Sequence, residues 1–303
     1  MSAPPGPPPL EVVEYTDPLC PWAWGAEPVF RKLRAAVAGR AVWRRVFCVL
    51  FDDDDDPAPD PAAETAWYAR YVEEIATHTG APRALRLDRV AASSWPASLV
   101  AKAAELQGPE IADRVLRRLR ETVFVLGSPA DTLPAALAAT TGCRALDLAR
   151  LTADAASDRV REGVRADRAE ARRPVPEAHR PAPGASPHPG TAKETPDGGF
   201  RYALPTLLVR SGRTHRVVPG WRPYEEYAAA VGALAPPPPP TPPRLPAGRA
   251  LEHYRSLTDP ERRTLTRGAW PPAGAVRIDT ANAPLWLHPE EAAVHPATTP
   301  APG

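Results

Sequence analysis

The stretch Thr16-Asp17-Pro18-Leu19-Cys20-Pro21-Trp22-Ala23-Trp24 places one cysteine where an extended segment ends and a helix begins. Leu10 to Tyr15 (LEVVEY) carries β-branched and aromatic residues in partial alternation, the pattern of a short strand. Pro21 suits the first position of a helix, where a missing N–H costs nothing. Good helix formers run from Trp24 to Val37, and Gly39 stops them. Pro28 falls inside that run and is expected to kink it. Cys20 is therefore expected at a helix N-terminus, with free backbone N–H groups and the positive end of the dipole aimed at its sulfur. That setting lowers a thiol pKa and favours a nucleophilic thiolate, so Cys20 is expected to be accessible and acidified.

Val42 to Phe51 (VWRRVFCVLF) reads as a second strand, apolar enough for a sheet interior. Strand, helix and strand then form a right-handed unit with parallel strands. From Glu64 to about Asp167 the periodicity turns helical: Ile111, Val115, Leu119 and Val123 recur every four residues and make one apolar face. This predicts a block of four to six helices. Tyr202 to Arg210, the turn Ser211-Gly212, and Thr214 to Val218 read as a hairpin, followed by a helix over Pro223 to Leu234.

Charge is nearly balanced, 37 basic residues against 36 acidic among 303, which argues against a nucleic-acid partner or an anionic membrane surface. No apolar run approaches a membrane span, and Met1 to Pro9 has neither the basic nor the apolar part of a signal peptide. The expected compartment is the cytoplasm. Three scattered cysteines are too few for a disulfide framework. Cys48, inside the second predicted strand, reads as core, and Cys143 near a helix end is the one remote candidate for a resolving thiol. The seven histidines are scattered, no Cys/His spacing fits zinc, and no metal or tightly bound cofactor is expected. Asp52 to Asp56 reads as a solvated acidic loop. The 42 prolines, far above the usual share of about 5%, mark linkers and tails.

The strand–Cys–Pro–helix opening, and "DPLCPW" above all, resembles the active site of DsbA-like thioredoxin-superfamily oxidoreductases, in the cytosolic branch labelled dithiol–disulfide isomerases. The block "SSWPASLVAKAAELQG … RRLRETVF" is similar to the helical insertion of that group and of kappa-class glutathione-transferase-like proteins. The resemblance covers residues 10–235 and implies an α/β, thioredoxin-like fold with an inserted all-helical domain. The expected organisation is a Pro-rich disordered arm (1–9), a first half (10–62), the helical domain (63–170), a flexible connector (171–199), a second half (200–235), a Pro-rich linker (236–249), and a small C-terminal module whose tail is disordered from Ala292 (250–303).

The resemblance also implies roles. Cys20 would be the nucleophile. Pro205 would be a cis-proline facing it, with Leu204 offering its backbone to a bound substrate. Asp17, Pro21, Trp22 and Trp221 would shape the site. Where the family pattern has a second cysteine this chain has Ala23, so no thiol stands nearby to resolve a mixed disulfide. The expectation is a thiol–disulfide oxidoreductase working through one cysteine on a protein or small-molecule disulfide or electrophile, with a low-molecular-weight thiol as co-substrate. Two other readings remain: a thiol-dependent transferase or isomerase of the kappa-class type, and a non-catalytic adaptor for a client protein on a retired thioredoxin fold.

Overall fold

The computed structural model describes residues 10–53, 58–181 and 186–299. The predicted N-terminal arm and most of the acidic run lie outside them. In chain order the elements are β1 (Leu10–Thr16), α1 (Pro21–Val37), β2 (Ala41–Phe47), α2 (Pro61–Thr79), α3 (Trp95–Glu105), α4 (Pro109–Phe124), α5 (Leu133–Ala139), α6 (Leu148–Ala155) and α7 (Asp158–Ala171). There follow β3 (Lys193–Glu194), β4 (Phe200–Arg201), β5 (Thr206–Ser211), β6 (Thr214–Pro219), α8 (Tyr224–Leu234), β7 (Leu245–Pro246), α9 (Ala247–Tyr254), β8 (Ser256–Thr258), α10 (Asp259–Leu265), β9 (Thr266–Arg267), β10 (Val276–Ile278), β11 (Leu285–Leu287) and α11 (Pro289–Ala292).

The central sheet has four strands in the order β2-β1-β5-β6. β1 runs parallel to β2 (Val12 opposite Trp43) and antiparallel to β5 (Val13 opposite Leu208), and β5 and β6 form the hairpin. Successive side chains of β1 point to opposite faces. Leu10 and Val12 pack with Phe30 and Leu33 of α1 and with Tyr227 and Val231 of α8. Val13 and Tyr15 pack on the other face with Val46, Leu208, Tyr202 and Ala171 of α7. Both faces are covered, and every residue of β1 except Glu11 is buried. The second strand ends earlier than expected: Cys48 N still donates to the Thr16 carbonyl at 2.9 Å, but Val49 has φ 51° and breaks the ladder.

Among the described residues six α-helices, α2 to α7, stand between β2 and β5, and their shared core is built by Val100, Val115, Leu119, Val123, Leu151, Val160 and Val164. The described C-terminal residues, 250–299, do not stand apart. Leu285, Leu287 and Ala292 belong to that same core. The described part of the segment read as a disordered tail from Ala292 folds back, and His295 is buried against Glu121 with Nε2 2.9 Å from Oε2. The sequence masks this because the contact is polar. Arg117, Arg118 and Glu121 of α4 look like a helix's solvent face, yet they are buried and paired with Glu261, Glu291 and His295.

The stretch 171–199, flexible by composition, is fastened in its described part. Arg222 donates to the His188 carbonyl at 2.8 Å, Ser186 Oγ to the Trp221 carbonyl at 2.7 Å, and Ala192 N to the Ala178 carbonyl at 2.8 Å. Among the described residues no helix is long and apolar enough to cross a membrane.

Candidate active site

Cys20 is the N-cap of α1, with extended backbone (φ −85°, ψ 121°), and Pro21 opens the helix. The turn before it is set by Asp17. One carboxylate oxygen accepts from Leu19 N (2.8 Å) and Ser94 Oγ (3.0 Å), and the other accepts from Leu50 N (2.8 Å). Asp17 thus joins the β1–α1 turn to the end of β2 and the start of α3. Burial raises its pKa to about 6, against the pull of these three bonds. All three of these bonds tie Asp17 to the scaffold.

Cys20 Sγ lies 3.9 Å from the Leu204 carbonyl, and the Leu204–Pro205 peptide is cis. The chain reaches this point from β4 and enters β5 at Thr206, whose hydroxyl donates back to Ala203 at 2.6 Å. The Pro205 carbonyl accepts from Gly220 N at 2.8 Å, which brings the loop after β6 alongside. Of the residues singled out by sequence, Cys20, Pro21, Trp22 and Leu204 line one cleft of about 400 Å³. Trp221 lies beside Trp22, ring centroids 6.4 Å apart, and Trp221, Pro205 and Asp17 are not part of the cleft lining.

The rest of the cleft comes from residues that sequence reasoning did not single out. α2 contributes Glu64, Trp67, Tyr68 and Tyr71; Phe51, Val90, His188, Lys193 and Arg201 complete the wall. Trp22 Nε1 donates to Tyr71 Oη at 2.9 Å, Trp67 stacks on Tyr71 at 5.5 Å, and Tyr68 Oη donates to the Leu19 carbonyl at 3.3 Å. His188 meets Trp22 edge-on at 4.9 Å. One signal in the sequence pointed to α2: Trp67, Tyr68 and Tyr71 share a helix face, too aromatic for a solvated one.

This aromatic cover corrects the expectation of an accessible, acidified thiol. Cys20 is 4% exposed. Burial pushes its pKa up to about 11, and the neighbouring Asp17 carboxylate adds to the rise. The N–H groups of Ala23 and Trp22, together with Arg201, favour the thiolate but do not outweigh desolvation. The helix N-terminus is where the sequence places it; the lid of α2 decides the sign. Cys48 shares the apolar cluster around Cys20, and burial raises its thiol well above the ordinary value too. Cys143 is buried beside Arg118 and Glu291, away from the cleft. Among the described residues no group of three His, Cys, Asp or Glu side chains is placed to hold a metal ion.

Comparison with known proteins agrees with this architecture. A family model described as Thioredoxin matches residues 14–173, just over half of the chain. Two curated relatives are the ClpXP adapter protein SpxH of Shouchella clausii, 33% identical over 131 residues, and that of Bacillus subtilis, 31% identical over 121 residues. Each match takes in 39% of this chain and 38–39% of the relative, so the chain spans well under half the length of the relatives it matches. A solved structure of a candidate protein disulfide isomerase from Nitrosomonas europaea superposes with a TM-score of 0.57 at 16% identity, over 74% of this chain and 97% of that one, a likeness of fold. With the β1–α1–β2 unit, the hairpin behind the cis-proline and the block of helices set between them, the chain belongs to the thioredoxin family.

Proposed function

We propose that this protein is a thiol–disulfide oxidoreductase that reacts through Cys20. One observation carries the reading: the Cys20 sulfur faces the Leu204 carbonyl at the floor of an open aromatic cleft, where a reacting chain can lie along the backbone of Leu204. In the resting protein the sulfur is a thiol. A substrate amide that donates to Leu204 O displaces the thiol from that acceptor. The proton leaves to solvent base, and the thiolate attacks one sulfur of the substrate disulfide. A Cys20–S bond forms, the substrate S–S bond breaks, and its electron pair leaves on the second sulfur, which is then protonated. With Ala23 at the family's second cysteine position, an external low-molecular-weight thiol attacks the mixed disulfide and returns Cys20 to its reduced form.

Incubating the reduced protein with oxidised glutathione tests this. Intact mass is expected to show one glutathione adduct on the wild type and none on Cys20→Ser, formed slowly at pH 7 and faster with rising pH. A wild type that takes no adduct at pH 9 while Cys20 still alkylates with iodoacetamide sinks the reading.

The adaptor reading has its own support, in the SpxH relatives and in a thiol that burial keeps protonated. There the aromatic surface of α2, with Trp67 56% exposed, would meet a client bound for the ClpXP protease. Faster client degradation by ClpXP with the Cys20→Ser protein, equal to that with wild type, would favour it.

A further inference from the structure

The two-stranded hairpin β3–β4 sets two cations directly opposite each other: Lys193 of β3 pairs with Arg201 of β4. Residues opposed in this way point their side chains to the same side of an antiparallel pair, and like charges there destabilise it. The side chain of Glu194, next along β3, points the other way. Among the described residues neither Lys193 nor Arg201 makes an ion pair, and the one side-chain hydrogen bond between them is from Arg201 Nη1 to the Tyr202 carbonyl at 3.1 Å. Other surface arginines end on carboxylates: Arg44 on Glu11 and Glu170, Arg172 on Asp52, Arg210 on Glu11.

Both cations line the cleft that holds Cys20 and Leu204. The one carboxylate in that lining among the described residues is Glu64 of α2, which pairs with neither of them. His188, its pKa held down at about 4 by burial, adds no charge at neutral pH. The backbone on either side of the pair is fixed. Ala192 N donates to the Ala178 carbonyl at 2.8 Å, Tyr202 N to the Ala171 carbonyl at 3.0 Å, and Tyr202 Oη accepts from Val175 N at 3.0 Å. Arg201 stands three positions before Leu204, whose carbonyl faces the thiol. Two opposed cations cost a short hairpin stability, and such a breach of the local rules belongs where a ligand supplies the missing charge.

We propose that the substrate of this cleft carries a carboxylate beside its reacting atom, held between Lys193 and Arg201. The inference rests on Cys20 being the reacting thiol and names the charge of what reaches it. The guanidinium offers a planar fork that suits both carboxylate oxygens, and the ammonium adds a point charge from the opposite strand. The apolar stem of the substrate lies against Trp22 and Tyr71 on the facing wall. A carboxylate of this kind comes from a small acidic disulfide or from an acidic residue next to the cysteine of a peptide. Arg201 also favours the Cys20 thiolate, so the readout has to separate recognition of the carboxylate from acidity of the thiol.

The rates at which Cys20 is alkylated by iodoacetate and by iodoacetamide, read by peptide mass, do so. Both reagents need the same thiolate and the same access to sulfur, so their ratio cancels both, and a merely structural role leaves it unmoved. The iodoacetate-to-iodoacetamide ratio is expected to be about fivefold higher in wild type than in Lys193→Gln/Arg201→Gln at low salt, with the gap closing at high salt. Equal ratios at low salt in a folded double variant overturn the proposal. Should that variant not fold, the wild type carries the test through the sign of its salt dependence. Thiolate and iodoacetate repel, so without the cations added salt raises the ratio; with them it falls. A ratio that rises with salt overturns the proposal. Two further arms separate the sources: mixed-disulfide formation with dithiodiglycolate, and with a peptide disulfide carrying Glu or Gln beside its cysteine. Preference for the first assigns a small acidic disulfide, and preference for Glu over Gln an acidic segment; indifference to both charges overturns the proposal. A charge-selective alkylation ratio with no adduct from any disulfide defeats the oxidoreductase reading alone, and a glutathione adduct with equal ratios defeats the carboxylate site alone.

Discussion

At the scale of single residues, the thiol site depends on what its neighbours leave unsatisfied. Asp17 is the clearest case. Three donors converge on its two oxygens, so an amide in its place turns an N–H toward one of them. Asp17→Asn is expected to cost about 1–3 kcal/mol at pH 7.5, the range for orphaned buried donors, read as a lower urea midpoint at unchanged slope. The pH dependence has a defined sign. The folded pKa of about 6 lies above the ordinary aspartate value of about 3.9, so the folded protein holds this proton more tightly than the unfolded chain. Stability owed to Asp17 is full below about pH 4 and declines as pH rises through 6. The difference between wild type and Asp17→Asn therefore widens on acidification from pH 7.5 to 4.5; a narrowing gap contradicts the assignment. Cys20 and Asp17 were legible as residues that matter. That Asp17 ties the turn before Pro18 to distant parts of the fold was not, because two of its donors, Leu50 and Ser94, lie 33 and 77 positions away.

At the scale of elements, the decisive contact is α1 against α2. Gly25 sits where α1 passes close to the end of α2: an added Cβ would fall 2.5 Å from Thr79 Cγ2. Thr79 cannot simply rotate, since its hydroxyl donates to the Ile75 carbonyl (2.9 Å) and accepts from Ala81 N (3.2 Å). Helix propensity alone would reward Gly25→Ala by up to about 1 kcal/mol. The close approach predicts the opposite sign, a loss of about 1–3 kcal/mol from overpacking, with faster Cys20 alkylation as α2 shifts off the thiol. A more stable Gly25→Ala protein with unchanged alkylation would show that the contact yields freely. α1, β1, β2 and the hairpin could be read from periodicity because each buries an apolar face locally. The lid left only its aromatic face as a sign, because α2 has few buried residues of its own and its aromatics find the thiol only in the folded protein.

At the scale of the whole molecule, buried charge joins the C-terminal segment to the rest. Arg117 forks onto both oxygens of Glu261 (3.0 and 3.1 Å), Arg31 reaches the same carboxylate at 3.1 Å, and Glu261 closes the capping box of α10 by accepting from Thr258 N at 2.7 Å. Nothing in the sequence marks these residues as core, since composition cannot tell a paired buried charge from an exposed one. Removing one partner leaves the other buried and uncompensated, a change worth about 3–5 kcal/mol. Glu261→Ala is therefore expected to destabilise the entire fold by about that much. Hydrogen exchange is expected to show protection falling together in residues 10–47 and 256–299. If only 256–299 loosens while β1 and α1 keep their protection, the C-terminal segment is a separate module after all. The same network makes acid destabilising. The carboxyls of Glu27 and Glu121 are held well below the ordinary range, despite burial, by Arg34 and Arg120 in one case and by His295 and Arg117 in the other. Their contribution is present above an ordinary glutamate pKa of about 4.3 and is lost as pH falls below it. A urea midpoint that drops between pH 5 and 3, in step at both ends of the chain, is the expected outcome. An unchanged midpoint over that range would mean the pairs contribute nothing to folding.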